Sequence, residues 1–337
     1  MHVIGAGPVG SYTAYLLARE GFRVKVYEEH TRIGKPEHCA GIISRNIEQF
    51  VRKPPHIQFV HGARFFAGRE FALLERKKAA YIIDRPSLDR MIAEMAEAEG
   101  ASFELGRRVS WKELEGRIVA ADGATSTTRY ELGQRVEFLP ALQFDLRERM
   151  DDYAELWFEP WNRDFFVWVI PRGSHVRVGT ASRNLKPLED FVWKRFGRKR
   201  IRAKYSGLVI VSGPVRKTYF RFGSREVALV GDAAGQVKPT TGGGVVTGLT
   251  CAKELAGSIA EGSMGEYEKR WRKKFGREFA LQKVARWLIL RNPEAFVRFV
   301  RRSRARFELY GDMDVQSRVV LRLLPQLFLF VLETLIF

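Results

Sequence analysis

Three glycine-bearing stretches, far apart in the chain, carry residue types able to hold successive parts of one dinucleotide. They are Gly5-Ala6-Gly7-Pro8-Val9-Gly10, Asp122-Gly123-Ala124-Thr125-Ser126 and Gly231-Asp232-Ala233-Ala234-Gly235. In the first, Gly5 permits a tight turn, Gly7 lets main chain approach a pyrophosphate, and Gly10 lets a helix pack closely on a strand. The phosphates would face the helix N-terminus, where free N–H groups favour an anion. Glu28 follows at about the 20-residue spacing at which a carboxylate accepts from ribose hydroxyls, and it disfavours a 2′-phosphate. In the second stretch, Asp122 and Ser126 can fix a loop facing the cofactor. In the third, Asp232 can accept from ribityl hydroxyls, and Gly242-Gly243-Gly244 opens a helix whose N-terminus stabilises negative charge on a reduced flavin. Together these stretches predict FAD.

Local patterns supply the elements that must hold them. His2-Val3-Ile4 reads as a strand, and Val9 to Leu17 as a helix closed by Gly21. Phe22 to Tyr27 is a second strand running into Glu28. Tyr81 to Pro86 leads into an amphipathic helix over 87–99, with Ala101 to Val109 a strand after it. Arg117 to Ala121 and Glu226 to Val230 are buried strands that deliver the second and third stretches. Over 131–216 apolar residues alternate, as in an antiparallel sheet. The fold class is therefore α/β: an FAD-binding Rossmann-type βαβ domain (residues 1–54, 79–130 and 217–265), an inserted, mostly antiparallel substrate-binding sheet domain (55–78 and 131–216), and a C-terminal helical region (266–337).

The 337-residue chain carries a net charge of +18, mostly from arginine that thickens toward the C-terminus. Such a surface favours anionic partners: phospholipid headgroups, a phosphorylated substrate or an acidic electron-donor protein. Nucleic acid is not expected, because no recognition signature accompanies the charge. No metal site is expected either. A surface this rich in charge, with few asparagines, is also thermophile-like. Two cysteines suit a reducing cytoplasm. The first strand begins almost at Met1, so no signal peptide is expected. The apolar run 319–337 is broken by Arg322, Pro325 and Glu333, so a buried or membrane-surface helix is expected rather than a spanning one.

Beyond the cofactor stretches, the sequence resembles the FAD-dependent hydroxylase-type superfamily over nearly its whole length, and within it the geranylgeranyl reductase family. Pro36-Glu37-His38-Cys39-Ala40-Gly41 is similar to that family's P-x-x-C segment. Phe166-Val167-Trp168-Val169-Ile170-Pro171 with Gly173 is similar to its Y-x-W-x-F-P motif, with Phe166 in place of tyrosine and Ile170 in place of phenylalanine. Lys238-Pro239-Thr240-Thr241-Gly242-Gly243-Gly244 is similar to its K-P-x-x-G-G-G run. The chain is shorter than typical members.

Carried over by position, the resemblance implies FAD contacts at Gly10, Glu28, Cys39, Ala40, Arg85, Val109, Asp232, Gly244 and Val245; the motifs themselves add Gly5, Gly7 and Asp122. It implies a reductase saturating C=C bonds of geranylgeranyl chains in archaeal-type membrane lipids or their prenyl precursors. Hydride comes from reduced flavin, and NAD(P)H or reduced ferredoxin is the external reductant. An isolated prenyl alkene is a poor hydride acceptor, so a proton must reach one carbon as hydride reaches the other, in a dry site. Cys39 is the catalytic candidate, and Phe166, Trp168 and Pro171 the candidate lining. His38 and Cys251 read as structural. The enzyme would be cytoplasmic and peripheral at the inner face of the cell membrane. Two other readings stay open: a flavin monooxygenase or halogenase on the same fold, and a non-catalytic electron-transfer flavoprotein.

Overall fold

The structure, a computed structural model, describes residues 1–197, 200–320 and 322–336. One sheet has strands β1 (His2–Ile4), β2 (Lys25–Glu28), β6 (Ser102–Leu105), β7 (Arg117–Ala120) and β14 (Arg225–Leu229) in parallel, with β13 (Tyr219–Phe222) antiparallel at the edge. Its order is β13-β14-β7-β1-β2-β6. Val3, Val26, Ile118, Val119 and Val227 are fully buried, as expected of parallel strands covered on both faces. Helix α1 (Pro8–Arg19) packs against α2 (Arg85–Ala98) and α5 (Val245–Ala260). Proline at the first turn suits α1, since the N–H it lacks would have no helical partner. The strand expected over 101–109 stops at Leu105, because Gly106 turns the backbone at φ 74°.

The second sheet has eight strands in the order β12-β8-β11-β10-β9-β4-β5-β3. They are β3 (Ile42–Ser44), β4 (His56–Ala67), β5 (Glu70–Ile83), β8 (Phe138–Leu146), β9 (Ala154–Phe158), β10 (Val167–Arg172), β11 (His175–Ala181) and β12 (Ile201–Ile210). All neighbours are antiparallel except β4 and β9. Where short strands were expected over 55–78, two long ones form a hairpin. This sheet also takes in β3 and the end of β5, stretches that the sequence assigned to the nucleotide-binding unit. The β4–β5 ladder slips twice, between His56 and Gln58 and again between Val60 and Gly62; at the second slip Val60 faces Ala80, but Gly62 faces Glu75. Residues 76–79 therefore loop out opposite His61, and Lys78 adopts φ 53°, the one positive φ outside glycine among the described residues.

Short α3 (Thr127–Glu131) follows the second cofactor stretch, and α4 (Lys186–Phe196) packs on β11. The C-terminal region is helical, with α6 (Glu266–Arg291), α7 (Pro293–Arg302), α8 (Arg304–Tyr310), α9 (Ser317–Val320) and α10 (Leu324–Ile336). Asn292 starts α7 by accepting the Ala295 N–H at 2.9 Å, with Pro293 in the first turn. The helix lays Ala295, Val297, Phe299 and Val300 against β4 and β5, and α10 packs on it. No helix among the described residues is long and apolar enough to cross a membrane. Leu321 and Phe337, part of the apolar 319–337 run, lie outside the described residues.

Candidate active site

A cavity of about 1020 Å³ runs from the glycine stretches of the first sheet, under the second sheet, to the C-terminal helices. At its cofactor end the binding surface is largely main chain. Gly7 caps α1 without any side-chain partner, and a Cβ built on it would meet nothing within 4 Å. Its open face lines the cavity beside Pro8 and Val9. Gly5 and Gly10 do not line it; they allow the turn that does. A Cβ on Gly10 would lie 2.0 Å from the Gly5 carbonyl oxygen, and one on Gly5, at φ 97°, would lie 2.5 Å from that of Ala121. Gly244 caps α5, again with no side-chain bond, and lines the cavity with Val245. Two uncapped helix N-termini therefore point into one space, which suits the phosphates and reduced ring of a flavin dinucleotide.

Asp232 supports the same fit. Its carboxylate lines the cavity and accepts no hydrogen bond from the protein among the described residues, while a Cβ on Gly244 would meet its Oδ1 at 2.6 Å. Burial pushes its carboxyl above the ordinary range, against the opposing charges of Arg85 and Arg129. A set of hydroxyl donors would satisfy it. Glu28 caps the turn from the other side: its Oε2 accepts the Ala6 N–H at 2.8 Å and its Oε1 the His30 N–H at 3.0 Å. Val109 lies beyond β6 rather than on it. Its side chain is buried with Tyr27 and Trp111, and its backbone forms no hydrogen bond among the described residues. That leaves main-chain groups for an adenine edge.

Asp122 sits differently from the cofactor contact expected of it. Its Oδ1 accepts the Ser126 hydroxyl at 2.6 Å and its Oδ2 the Thr128 N–H at 3.1 Å, so it holds the loop while Ala121 and Gly123 line the cavity. Arg129, which sequence reading noted beside the second stretch without giving it a role, ties the second and third stretches together. Its guanidinium donates to the carbonyls of Ala124 at 2.6 Å, Asp232 at 3.3 Å and Ala233 at 3.4 Å.

Cys39 lies where the cofactor end meets the second sheet, half-buried, with its Sγ accepting the Gly41 N–H at 3.4 Å. Three successive carbonyls of its loop are held by side chains of that sheet. Gln143 donates to His38 at 3.2 Å, Arg177 to Cys39 at 2.8 Å and Arg172 to Ala40 at 3.4 Å. Arg177 is 1% exposed and forks onto Asp145 at 2.7 and 2.9 Å, with Glu37 at 2.6 Å. Burial would raise the Asp145 carboxyl, but Arg177 outweighs it and holds it below the usual range. The signal for this cluster was a lone charge inside apolar Val176-Arg177-Val178. Arg85 lines the cavity too, paired with Asp89 at 3.1 Å and interacting with the Cys39 thiol. His38 bonds the Ser206 carbonyl at 2.7 Å, and Cys251 is buried in α5, its thiol pushed up by burial.

The far end is apolar. Phe166 and Trp168 line it, with Phe65, Phe158, Leu288 and Phe296. Pro171 does not: side chains alternate along β10, so Trp168 and Ile170 face the cavity, while Val167, Val169 and Pro171 fall on the other register. The C-terminal segment closes this end and is fastened to the glycine run. Lys238 Nζ donates to Asp314 Oδ1 at 2.8 Å and to the Met313 carbonyl at 2.7 Å, while Ser44 and Asn46 donate to Asp314 Oδ2.

The family model of an NAD(P)-binding Rossmann-like domain matches residues 3–76. The digeranylgeranylglycerophospholipid reductase 2 of Methanothermobacter thermautotrophicus is 31% identical over 335 residues, covering 82% of this chain and 83% of that protein. The digeranylgeranylglycerophospholipid reductase of Methanocaldococcus jannaschii is 28% identical over 325 residues, covering 81% and 82%. Among solved structures, a geranylgeranyl bacteriochlorophyll reductase-like protein from Thermoplasma acidophilum superposes with a TM-score of 0.81 at 21% identity, covering 96% of this chain and 94% of that one. That likeness shows the fold.

Proposed function

We propose that this chain, which belongs to the digeranylgeranylglycerophospholipid reductase family, is an FAD-dependent oxidoreductase that saturates C=C bonds of geranylgeranyl chains in archaeal-type membrane lipids or their prenyl precursors. The observation that carries the reading is one continuous cavity, lined by glycine main chain and Asp232 at one end and by aromatic side chains at the other, with Cys39 at the junction. Reduced FAD, when bound, supplies the hydride. Everything else falls to the chain's own residues.

Gly7, Arg85, Asp232, Gly244 and Val245, with Glu28 and the Val109 backbone outside the cavity, would hold the dinucleotide. Phe166, Trp168 and Phe158 exclude water and press a prenyl chain toward the cofactor end, which a weakly polar alkene needs because no charge on it can be gripped. The Cys39 thiol is the proton donor at the junction. Its proton goes to one alkene carbon as hydride goes to the other, and the thiolate left behind is stabilised by Arg85 and reprotonated from solvent. Arg177, Arg172 and Gln143 are positioning residues that fix the Cys39 loop.

The basic surface and the exposed Phe328, Leu329, Leu332 and Leu335 of α10 support a cytoplasmic enzyme peripheral to the inner face of the membrane. They also suit an acidic electron donor such as reduced ferredoxin, with NAD(P)H the other candidate reductant. The deciding experiment reduces the FAD-loaded protein without oxygen, adds digeranylgeranylglyceryl phosphate or geranylgeranyl diphosphate, and follows flavin reoxidation together with product mass. Mass gains in two-hydrogen steps are expected. Reoxidation only by oxygen, with no hydrogenated lipid, would sink the reductase reading and favour the monooxygenase one; no lipid-dependent reoxidation at all would favour an electron carrier.

A further inference from the structure

The geometry points to an anion site for the substrate's polar head at the rim of the cavity, formed by the looped-out Arg76, Lys77 and Lys78 with Arg45 beside them. This inference rests on reading the cavity as a prenyl-lipid site and adds what grips the lipid's other end. All four cations line the same cavity as the aromatic far end. The broken β4–β5 ladder sets three of them there, since residues 76–79 have no partner on β4 and bulge outward. Ser44 pairs with Ala80, so Arg45 enters the rim next to that bulge.

The local backbone is held in an unusual shape. Lys78 sits at φ 53°, its N–H donates to His61 Nδ1 at 3.3 Å, and its ammonium lies 4.7 Å from the Phe59 ring centre. A non-glycine residue in this region is uncommon and persists where surroundings enforce it.

The charges of the bulge itself are also left over. Nearby carboxylates are engaged elsewhere, Glu75 and Glu308 by Arg304 and Asp312 by Arg318, and of the four cations Arg45 is the one already ion-paired, with Glu48. Arg76 donates to the Gly311 carbonyl at 2.6 Å, which leaves its charge unneutralised, and neither lysine has an ion-pair partner among the described residues. An apolar tunnel with surplus positive charge at its mouth fits an amphiphile whose head is a phosphate or diphosphate ester.

The test uses oxidised, FAD-loaded protein without reductant, so binding is read apart from chemistry. Affinities for geranylgeranyl phosphate and for neutral geranylgeraniol are compared between wild type and Lys77→Ala/Lys78→Gly, glycine keeping the left-handed backbone at 78. The phosphate should bind about 10-fold more weakly to the variant, the alcohol equally well. Raised salt should weaken phosphate binding less in the variant than in wild type. Equal loss for both ligands, or no loss for either, overturns the site. So does a variant that keeps its affinity for the phosphate but no longer binds vesicles of anionic phospholipid, since the cations would then be a membrane contact. If phosphate binding falls as expected while no lipid is ever hydrogenated, the anion site stands and the reductase reading fails.

Discussion

At the cofactor end of the cavity the walls are main chain, held by Gly5 and Gly10, which tolerate no added atom, whereas at the far end they are aromatic side chains drawn from β4, β9, the start of β10 and helix α7, with aliphatic ones from α6. A main-chain wall has one solution: the turn at Gly5, the crossing at Gly10 and the open face of Gly7 depend on each other. A side-chain wall has many, because it must only be apolar and full. Substitutions at the two ends should therefore fail in different ways, all-or-none at one and by degrees at the other.

Gly10→Ala should have the largest effect. Its Cβ would sit 2.0 Å from a main-chain oxygen that cannot yield without moving α1 off β1. Loss of bound FAD together with lowered melting temperature is expected, and a variant purified with stoichiometric flavin would break the comparison. Cys39→Ala, at the junction, should keep its flavin spectrum and melting temperature and lose alkene reduction by about 10²–10⁴-fold. Unchanged turnover would remove Cys39 from the mechanism.

Behind it, Arg177→Ala strips buried Asp145 of its forked partner and leaves Glu37 only its longer pair with Arg172, and should cost about 3–5 kcal/mol of unfolding free energy. Arg177→Lys, which restores charge without the fork, should recover much of the stability but less of the turnover. Equal recovery of both would make Arg177 merely structural. At the far end, Phe166→Leu should retain FAD fully and change apparent KM by less than about 10-fold, since similar apolar volume refills the wall.

Acid separates the polar ties from both walls. Burial raises Asp314, yet Lys238, Ser44 and Asn46 more than offset this, so its folded pKa lies below the ordinary carboxylate value of about 3.9. A depressed carboxylate stabilises the fold above its unfolded pKa, and that contribution is lost as pH falls through the folded one. Wild type should thus lose melting temperature steeply below about pH 4. Asp314→Asn, weaker at neutral pH because Lys238 is left buried, should show a flatter acid limb. Parallel acid limbs would mean that Asp314 titrates as in the unfolded chain.

The same contrast explains what could be read in the sequence. Gly5, Gly7, Gly10, Asp232 and Gly244 were legible because backbone conformation and close approach leave few residue types at fixed spacing. The far wall was only partly so. Phe166 and Trp168 face the cavity, but Pro171 falls on the other face of β10, a matter of strand phase that the motif does not encode. Leu288 and Phe296 looked like any amphipathic helix. Asp122 was read both as fixing its loop and as a cofactor contact, and its carboxylate is spent on the loop, as short polar side chains after a turn often are. The Arg177 cluster joins residues up to 140 positions apart, and no local pattern announces such a pairing. The basic bulge was hidden because a ladder slip leaves no trace in composition.

One consequence follows from the tie between Lys238 and Asp314. The two lie 76 positions apart, and the later one belongs to the segment that roofs the cavity. As the chain emerges from the ribosome, the glycine turns and both sheets can form before that roof exists. The flavin would then have an open berth, entered from the side that later becomes the lipid's. Loading of cofactor and admission of substrate would then share one doorway at different times in the protein's life, with the Lys238–Asp314 tie as the latch that divides them.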